Sequence, residues 1–158
     1  MTLAGNEAGT DPARQIGGGN VGEITFEGDF AQVTFNQIST SSVSGLGNSA
    51  TITGGELAAI GLEQLGYGNT GIIEVSGIGN AGGLSQKGND NFGKVIVSGT
   101  GNSGQLNQVG DRNTYTLQVG GTSTDVTYTQ VGNDLSSSVS PSVFSNGGTV
   151  VITQSVSR

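Results

Sequence analysis

Three stretches of this chain spell G-x-G-x-x-G: Gly66–Gly71, Gly77–Gly82 and Gly99–Gly104. One such loop between a strand and a helix can cradle a pyrophosphate, because backbone N–H groups there converge on the anion. Glu63 and Glu74 are the residue types of a glycosidase acid–base pair. Asp90 and Asp111 lie in the acidic stretches GNDN and GDRN, the chemistry of a calcium-binding β-roll turn. Spacing weakens all three readings. A phosphate loop is used once, and here its glycines recur without a helical pattern after any copy. The two Asp residues fall at different offsets in their turns. Glu63 and Glu74 read as outward residues on opposite sides of a repeating unit.

Composition narrows the chemistry further. The 158 residues include 30 Gly, no His, no Cys and no Trp, and 11% are charged. Without His or Cys there is no Ser-His-Asp triad, no thiolate nucleophile and none of the usual zinc ligand sets. Arg14, Lys87, Lys94, Arg112 and Arg158 are the only cations in a chain of net charge −7, which disfavours a nucleic-acid partner. No apolar run reaches the length of a membrane-spanning helix. The opening MTLAGNEAGTDPARQ lacks the apolar stretch of a signal peptide, so either the chain is not secreted by that route or this is a mature form carrying an added Met. The expectation is a non-enzymatic chain with no cofactor, metal or small-molecule substrate.

The glycines belong to a period. Gly66, Gly77, Gly88, Gly99, Gly110, Gly121 and Gly132 are spaced by 11. Asn69, Asn80, Asn91, Asn102 and Asn113 share that spacing; Thr124 and Leu135 interrupt it and Asn146 resumes it. An apolar column runs through Leu62, Ile73, Leu84, Val95, Leu106, Leu117 and Tyr128. A fourth column alternates Gln64, Val75, Gln86, Val97, Gln108, Val119 and Gln130, so the full unit is 22 residues. Within each half the apolar residue lies two before the Gln or Val, with Glu63, Glu74, Ser85, Asn107, Gln118 or Thr129 between. That alternation predicts a strand with one buried face. The following G-x-x-N is its turn, with Gly, and Asn in the left-handed region, as its turn formers.

A strand-turn-strand-turn unit of constant length predicts an all-β chain wound as a β-solenoid, two strands per coil. Stacked coils place equal residues above one another at about 4.8 Å. Gln64, Gln86, Gln108 and Gln130 then form one amide ladder, and the five Asn residues another, each amide donating to one neighbour and accepting from the other. Leu62, Ile73, Val75, Leu84, Val95, Val97, Leu106, Leu117 and Val119 form the core. Residues 1–30 read as a flexible, Gly-rich segment outside the coils and residues 31–158 as five to six coils. Pro141 belongs at a turn or edge. The end surfaces are expected at Val33–Gln37 and Val150–Gln154.

The combination Q-x-G-x-x-N after an alternating strand, at Gln64/Gly66/Asn69, Gln86/Gly88/Asn91 and Gln108/Gly110/Asn113, with a partial copy at Gln130/Gly132, resembles the curlin repeat. The resemblance spans about residues 31–154. It implies a secreted, extracellular subunit of a curli-like functional amyloid at a bacterial surface, polymerising with itself in a biofilm matrix. It also implies an export pore, served by the N-terminal segment, and a nucleating subunit as partners. The family tends to carry Gln where this chain has Val75, Val97 and Val119, which leaves major and minor nucleating subunit both open. A monomeric solenoid that binds ice or acts as an adhesin is the alternative. Its expected Thr-x-Thr ranks, such as Thr51/Thr53, Thr114/Thr116 and Thr127/Thr129, fall at no single repeat position.

Overall fold

The computed structural model describes residues 2–4, 9–28, 31–41, 43, 45–137 and 142–156. The described residues form twelve strands: β1 (Thr2–Ala4), β2 (Gly9–Ile16), β3 (Val21–Phe26), β4 (Gln32–Ser39), β5 (Ser49–Gly54), β6 (Ala59–Gly66), β7 (Thr70–Val75), β8 (Ala81–Lys87), β9 (Phe92–Val97), β10 (Ser103–Val109), β11 (Thr114–Val131) and β12 (Ser142–Ser155). Every pairing is parallel and joins a strand to its equivalent one coil away. The fold is a β-solenoid of about 6 turns.

Two walls face each other across a thin core. The Gln wall is β2-β4-β6-β8-β10, continued by the second half of β11. The Val wall is β1-β3-β5-β7-β9, continued by the first half of β11. β12 covers both halves of β11 and closes the described stack. Period-2 alternation gives each strand its inward set: Leu62, Leu84 and Leu106 from one wall, Ile73, Val95 and Leu117 from the other, all at most 2% exposed.

Side-chain volume is traded across the core at constant coil height. Val75 faces Gly82, and a Cβ on Gly82 would lie 2.8 Å from the Val75 Cγ2. The next coil repeats this with Val97 and Gly104, at 2.9 Å. Toward the C-terminal end the pattern fills out with aromatic rings. Tyr115 and Tyr128 stack with centroids 3.7 Å apart, in register with Gly93 and Leu106 of the preceding coil.

The stack begins earlier than residue 31. β3 pairs with β5 and buries Ile24 and Phe26, and β2 pairs with β4. Over its described residues, the segment expected outside the coils is therefore part of the solenoid. Gln15 stands 22 residues before Gln37, so the period is present there. It is hidden because Gln37 and Gln64 lie 27 residues apart, a longer coil that breaks the count. A similar extension separates Gln130 from Gln154 by 24 residues. Pro141, with Ser44 and Phe30 of the weaker repeats, lies outside the described residues.

Candidate assembly interface: amide ladders and open edges

The Gln ladder runs the height of the stack. Gln15 Nε2 donates to Gln37 Oε1 at 2.6 Å, Gln37 to Gln64 at 2.7 Å, and Gln64 to Gln86 at 2.7 Å. Gln86 donates to Gln108 at 2.9 Å, Gln108 to Gln130 at 2.9 Å, and Gln130 to Gln154 at 3.0 Å. Gln37, Gln64, Gln86, Gln108 and Gln130 are all 0% exposed. Burial of a polar amide is costly unless its hydrogen bonds are made. Here the second Nε2 hydrogen crosses the core to a Val-wall carbonyl: Val21, Ser49, Thr70 and Phe92 accept from Gln37, Gln64, Gln86 and Gln108. The ladder thus ties coil to coil and wall to wall.

The Asn columns work differently from expectation. None of Asn69, Asn80, Asn91, Asn102 and Asn113 has positive φ. All five are buried, and each Oδ1 accepts a backbone N–H of the following coil: Asn91 N donates to Asn69, Asn113 N to Asn91, Asn102 N to Asn80, Thr124 N to Asn102 and Leu135 N to Asn113. Amide-to-amide bonds occur only along Asn48, Asn69 and Asn91, at 3.0 and 2.9 Å. Asn80 and Asn102 instead donate to turn carbonyls, Asn80 to Ser76 and Gly99, Asn102 to Ser98 and Gly121. Their role is to satisfy turn backbone that the coil would otherwise bury unpaired. Asn146, in sequence register with them, is exposed and outside this column.

The left-handed position is one residue earlier. Gly68, Asp90, Arg112 and Asp134 form that column on one edge, Leu57, Gly79, Gly101 and Ser123 on the other, with φ between 53 and 67°. The glycines Gly66, Gly77, Gly88, Gly99, Gly110, Gly121 and Gly132 have φ from 89 to 138°. At Gly88 a Cβ would strike the carbonyl oxygen of Gly110 as well, so the stacked turn itself excludes a side chain.

The charged residues considered for catalysis or calcium lie along the outside. Glu63 pairs with Lys87 at 3.3 Å on the Gln wall, and Glu74 with Lys94 at 2.7 Å on the Val wall. The two carboxylates are thus on opposite faces. Asp111 Oδ1 accepts Asn89 N at 2.8 Å, while Asp90 takes the left-handed turn position. Arg112 grips Asp134 through two hydrogen bonds of 2.7 and 2.8 Å, which hold the Asp134 carboxyl below its ordinary range. Thr51/Thr53 and Thr114/Thr116 lie on the Val wall and Thr127/Thr129 on the Gln wall, so no single Thr-x-Thr face forms.

Three functional residues escaped the sequence pattern. Gln15 was detectable by stepping 22 back from Gln37. Asn20, whose Oδ1 accepts Asn48 N at 2.9 Å, heads the Asn column 28 residues ahead of Asn48 and had no periodic signal. Tyr115 replaces the Gly71/Gly93 column and could not be placed from spacing alone. Its hydroxyl is buried without a hydrogen-bond partner, and burial pushes its pKa far up, with the charge of Tyr128 adding to the effect.

The two ends of the stack differ. Val33–Gln37 is not an edge, because β2 covers β4. The terminal strand there is β2, which contains Pro12 and shifts register between Asp11 and Arg14. Proline and a bulge both blunt a strand as a pairing template. At the other end β12 presents TVVITQ, uncharged and β-branched, as expected for Val150–Gln154. Since Val156 N bonds Val131 O, alternation directs the N–H groups of Val151 and Thr153 away from the stack. The chain matches no family model, no curated protein and no solved structure.

Proposed function

We propose that this chain is a structural subunit that polymerises head-to-tail into an extracellular, curli-like cross-β fibre. The polarity of the Gln ladder carries the reading. Every rung donates toward the C-terminal end, so Gln154 Nε2 is left with no acceptor among the described residues and Gln15 Oε1 with no donor. A second copy placed on β12 with its Gln15 above Gln154 continues the ladder in the same sense, joined through the regular Arg14–Ile16 end of β2 and not through the blunted stretch around Pro12. Equal coils stacked by one operation make a heterologous contact that never closes, which is a filament. The Q-x-G-x-x-N resemblance supports the same reading, and with it secretion and a role in adhesion and matrix. In this reading the residues build and join coils, and no catalysis is required of them.

Purified chain at neutral pH is expected to form unbranched, thioflavin-binding fibres with reflections near 4.8 Å and about 10 Å. Val151→Pro removes an outward donor while sparing the bonds of Ile152 and Gln154 to β11, so it is expected to fold, add to a wild-type seed end and then cap it. A wild-type chain that stays monomeric for days at tens of micromolar, a range on the order of that in which exposed strand edges associate, overturns the fibre reading. Unimpaired elongation by the Val151→Pro chain overturns the end-to-end joint.

A further inference from the structure

The outer face of the Gln wall carries a ridge and a groove side by side. The ridge is the column Ile16, Ile38, Leu65, Lys87, Val109 and Val131, one per coil at the strand ends. Ile16, Leu65, Val109 and Val131 are 39–44% exposed, a repeated apolar surface rather than scattered residues. The groove is floored where Gly61 and Gly83 face outward in successive coils, between Thr34 and Gln105, with a volume of about 320 Å³. Nothing lies within 4 Å of a Cβ built on Gly61. At the rim of the groove Asn36 Oδ1 is buried and lacks a hydrogen-bond partner.

We propose that this wall is a lateral seam on which a second copy of the chain packs, ridge into groove, to pair two stacks side by side. The inference rests on the fibre reading above. Ridge and groove are four residues apart along a strand, about 13 Å at ~3.3 Å per residue. A two-fold axis parallel to the stack, midway between them, drops each ridge into the other copy's groove and leaves both stacks pointing the same way. Leu65 of the second copy then stands over Gly61, and its Lys87 over Gly83 beside Glu63. Donors from that copy come within reach of Asn36 Oδ1.

Charge and size both favour a second copy. Among described side chains the outward charges of this wall are Arg14, Lys87, Glu63 and Asp125, which cancel, on a chain of net charge −7. The Val wall carries Glu23, Glu74 and Lys94 and is left negative. Like-charged copies therefore repel least across the Gln wall. Seven strands contribute to it. At ~4.8 Å between strands and about seven residues each, its face is roughly 700 Å² per copy, close to the ~800 Å² per partner of an ordinary specific interface. Only a surface with the same coil repeat can match the ridge at every level, and another stack has that repeat by construction.

Gly61→Arg/Gly83→Arg fills the groove at positions where a Cβ has open space at Gly61 and comes no closer than 3.5 Å to Gln105 at Gly83. Val109→Lys/Val131→Lys charges the ridge instead. Wild-type fibres are expected to show twice the mass per length of a single stack by unstained electron microscopy. Both variants are expected to halve that value, while their elongation on wild-type seeds stays within about two-fold of the parent, a range expected of surface changes. Variants that keep the wild-type mass per length, or wild-type fibres that are single stacks, overturn the seam and leave axial assembly standing. Absence of any fibre overturns both readings.

Discussion

Replacing Gln86 by Ala removes three hydrogen bonds at one point in a fully buried ladder. Gln86 accepts from Gln64 at 2.7 Å and donates to Gln108 at 2.9 Å and to the Thr70 carbonyl at 3.1 Å. At a net contribution of about 1 kcal/mol per bond, the loss is about 3 kcal/mol. Gln108 Oε1 is also left buried without its donor, which adds about 1–3 kcal/mol, whereas Gln64 Nε2 keeps its bond to Ser49. A total of about 4–6 kcal/mol is a large share of the stability of a typical domain, roughly 5–15 kcal/mol. If folding of a coil and its addition to a fibre are coupled, the soluble chain remaining at equilibrium rises by more than about 100-fold, since 1.4 kcal/mol is a factor of ten. The controls are Ser85→Ala and Asn107→Ala, whose side chains lie on the outer face with bonds of 3.2 and 3.5 Å. Those are expected to shift stability by no more than about 0.5 kcal/mol. Sedimentation followed by assay of the supernatant reads the difference. Equal soluble concentrations for Gln86→Ala and Ser85→Ala would falsify the assignment of the ladder as the axial support.

The turns and the tyrosine pair give two further tests. Gly88→Ala is expected to abolish or severely slow assembly, because φ 127° and the Gly110 carbonyl both reject a Cβ; Gly79→Ala, at φ 66° with open space around it, is expected to cost only about 1–2 kcal/mol. Equal seeded-elongation rates for the two would show that the stacked carbonyls do not limit the turn. The raised pKa of Tyr115 makes its neutral form the one the fold stabilises. That contribution is complete below the unfolded value of about 10 and is lost as pH rises from there toward the folded value. Alkaline titration is expected to show phenolate absorbance appearing together with loss of β-structure, and Tyr115→Phe to lessen that alkaline loss. Phenolate signal that Tyr115→Phe removes and that comes without unfolding would mean that Tyr115 is open to water.

How much of this was legible depends on what the period could carry. The alternation around Leu84, Gln86 and Val97 determined strand faces, because a period of two leaves one buried side. The constant spacing of Gly88, Gly110 and Gly132 determined coil height and the in-register Gln ladder, because equal coils must stack equal residues. The sequence also contained Gln15 and Ile24, but an elongated coil between Gln37 and Gln64 broke the phase, and local periodicity cannot count across an insertion. Three things were decided only by tertiary structure. Asn69 and Asn91 read as turn formers, yet closure of the coil turns them inward, where buried backbone N–H groups of the next coil need acceptors. Gly82 and Gly104 stood in the sequence only as the last glycines of two G-x-G-x-x-G copies, yet they are core positions, since Val75 and Val97 arrive from the opposite wall and leave no room for a Cβ. The difference between a blunted β2 end and an open β12 end belongs to the whole stack, because an edge is defined by which strands remain unpaired after all the others have found partners.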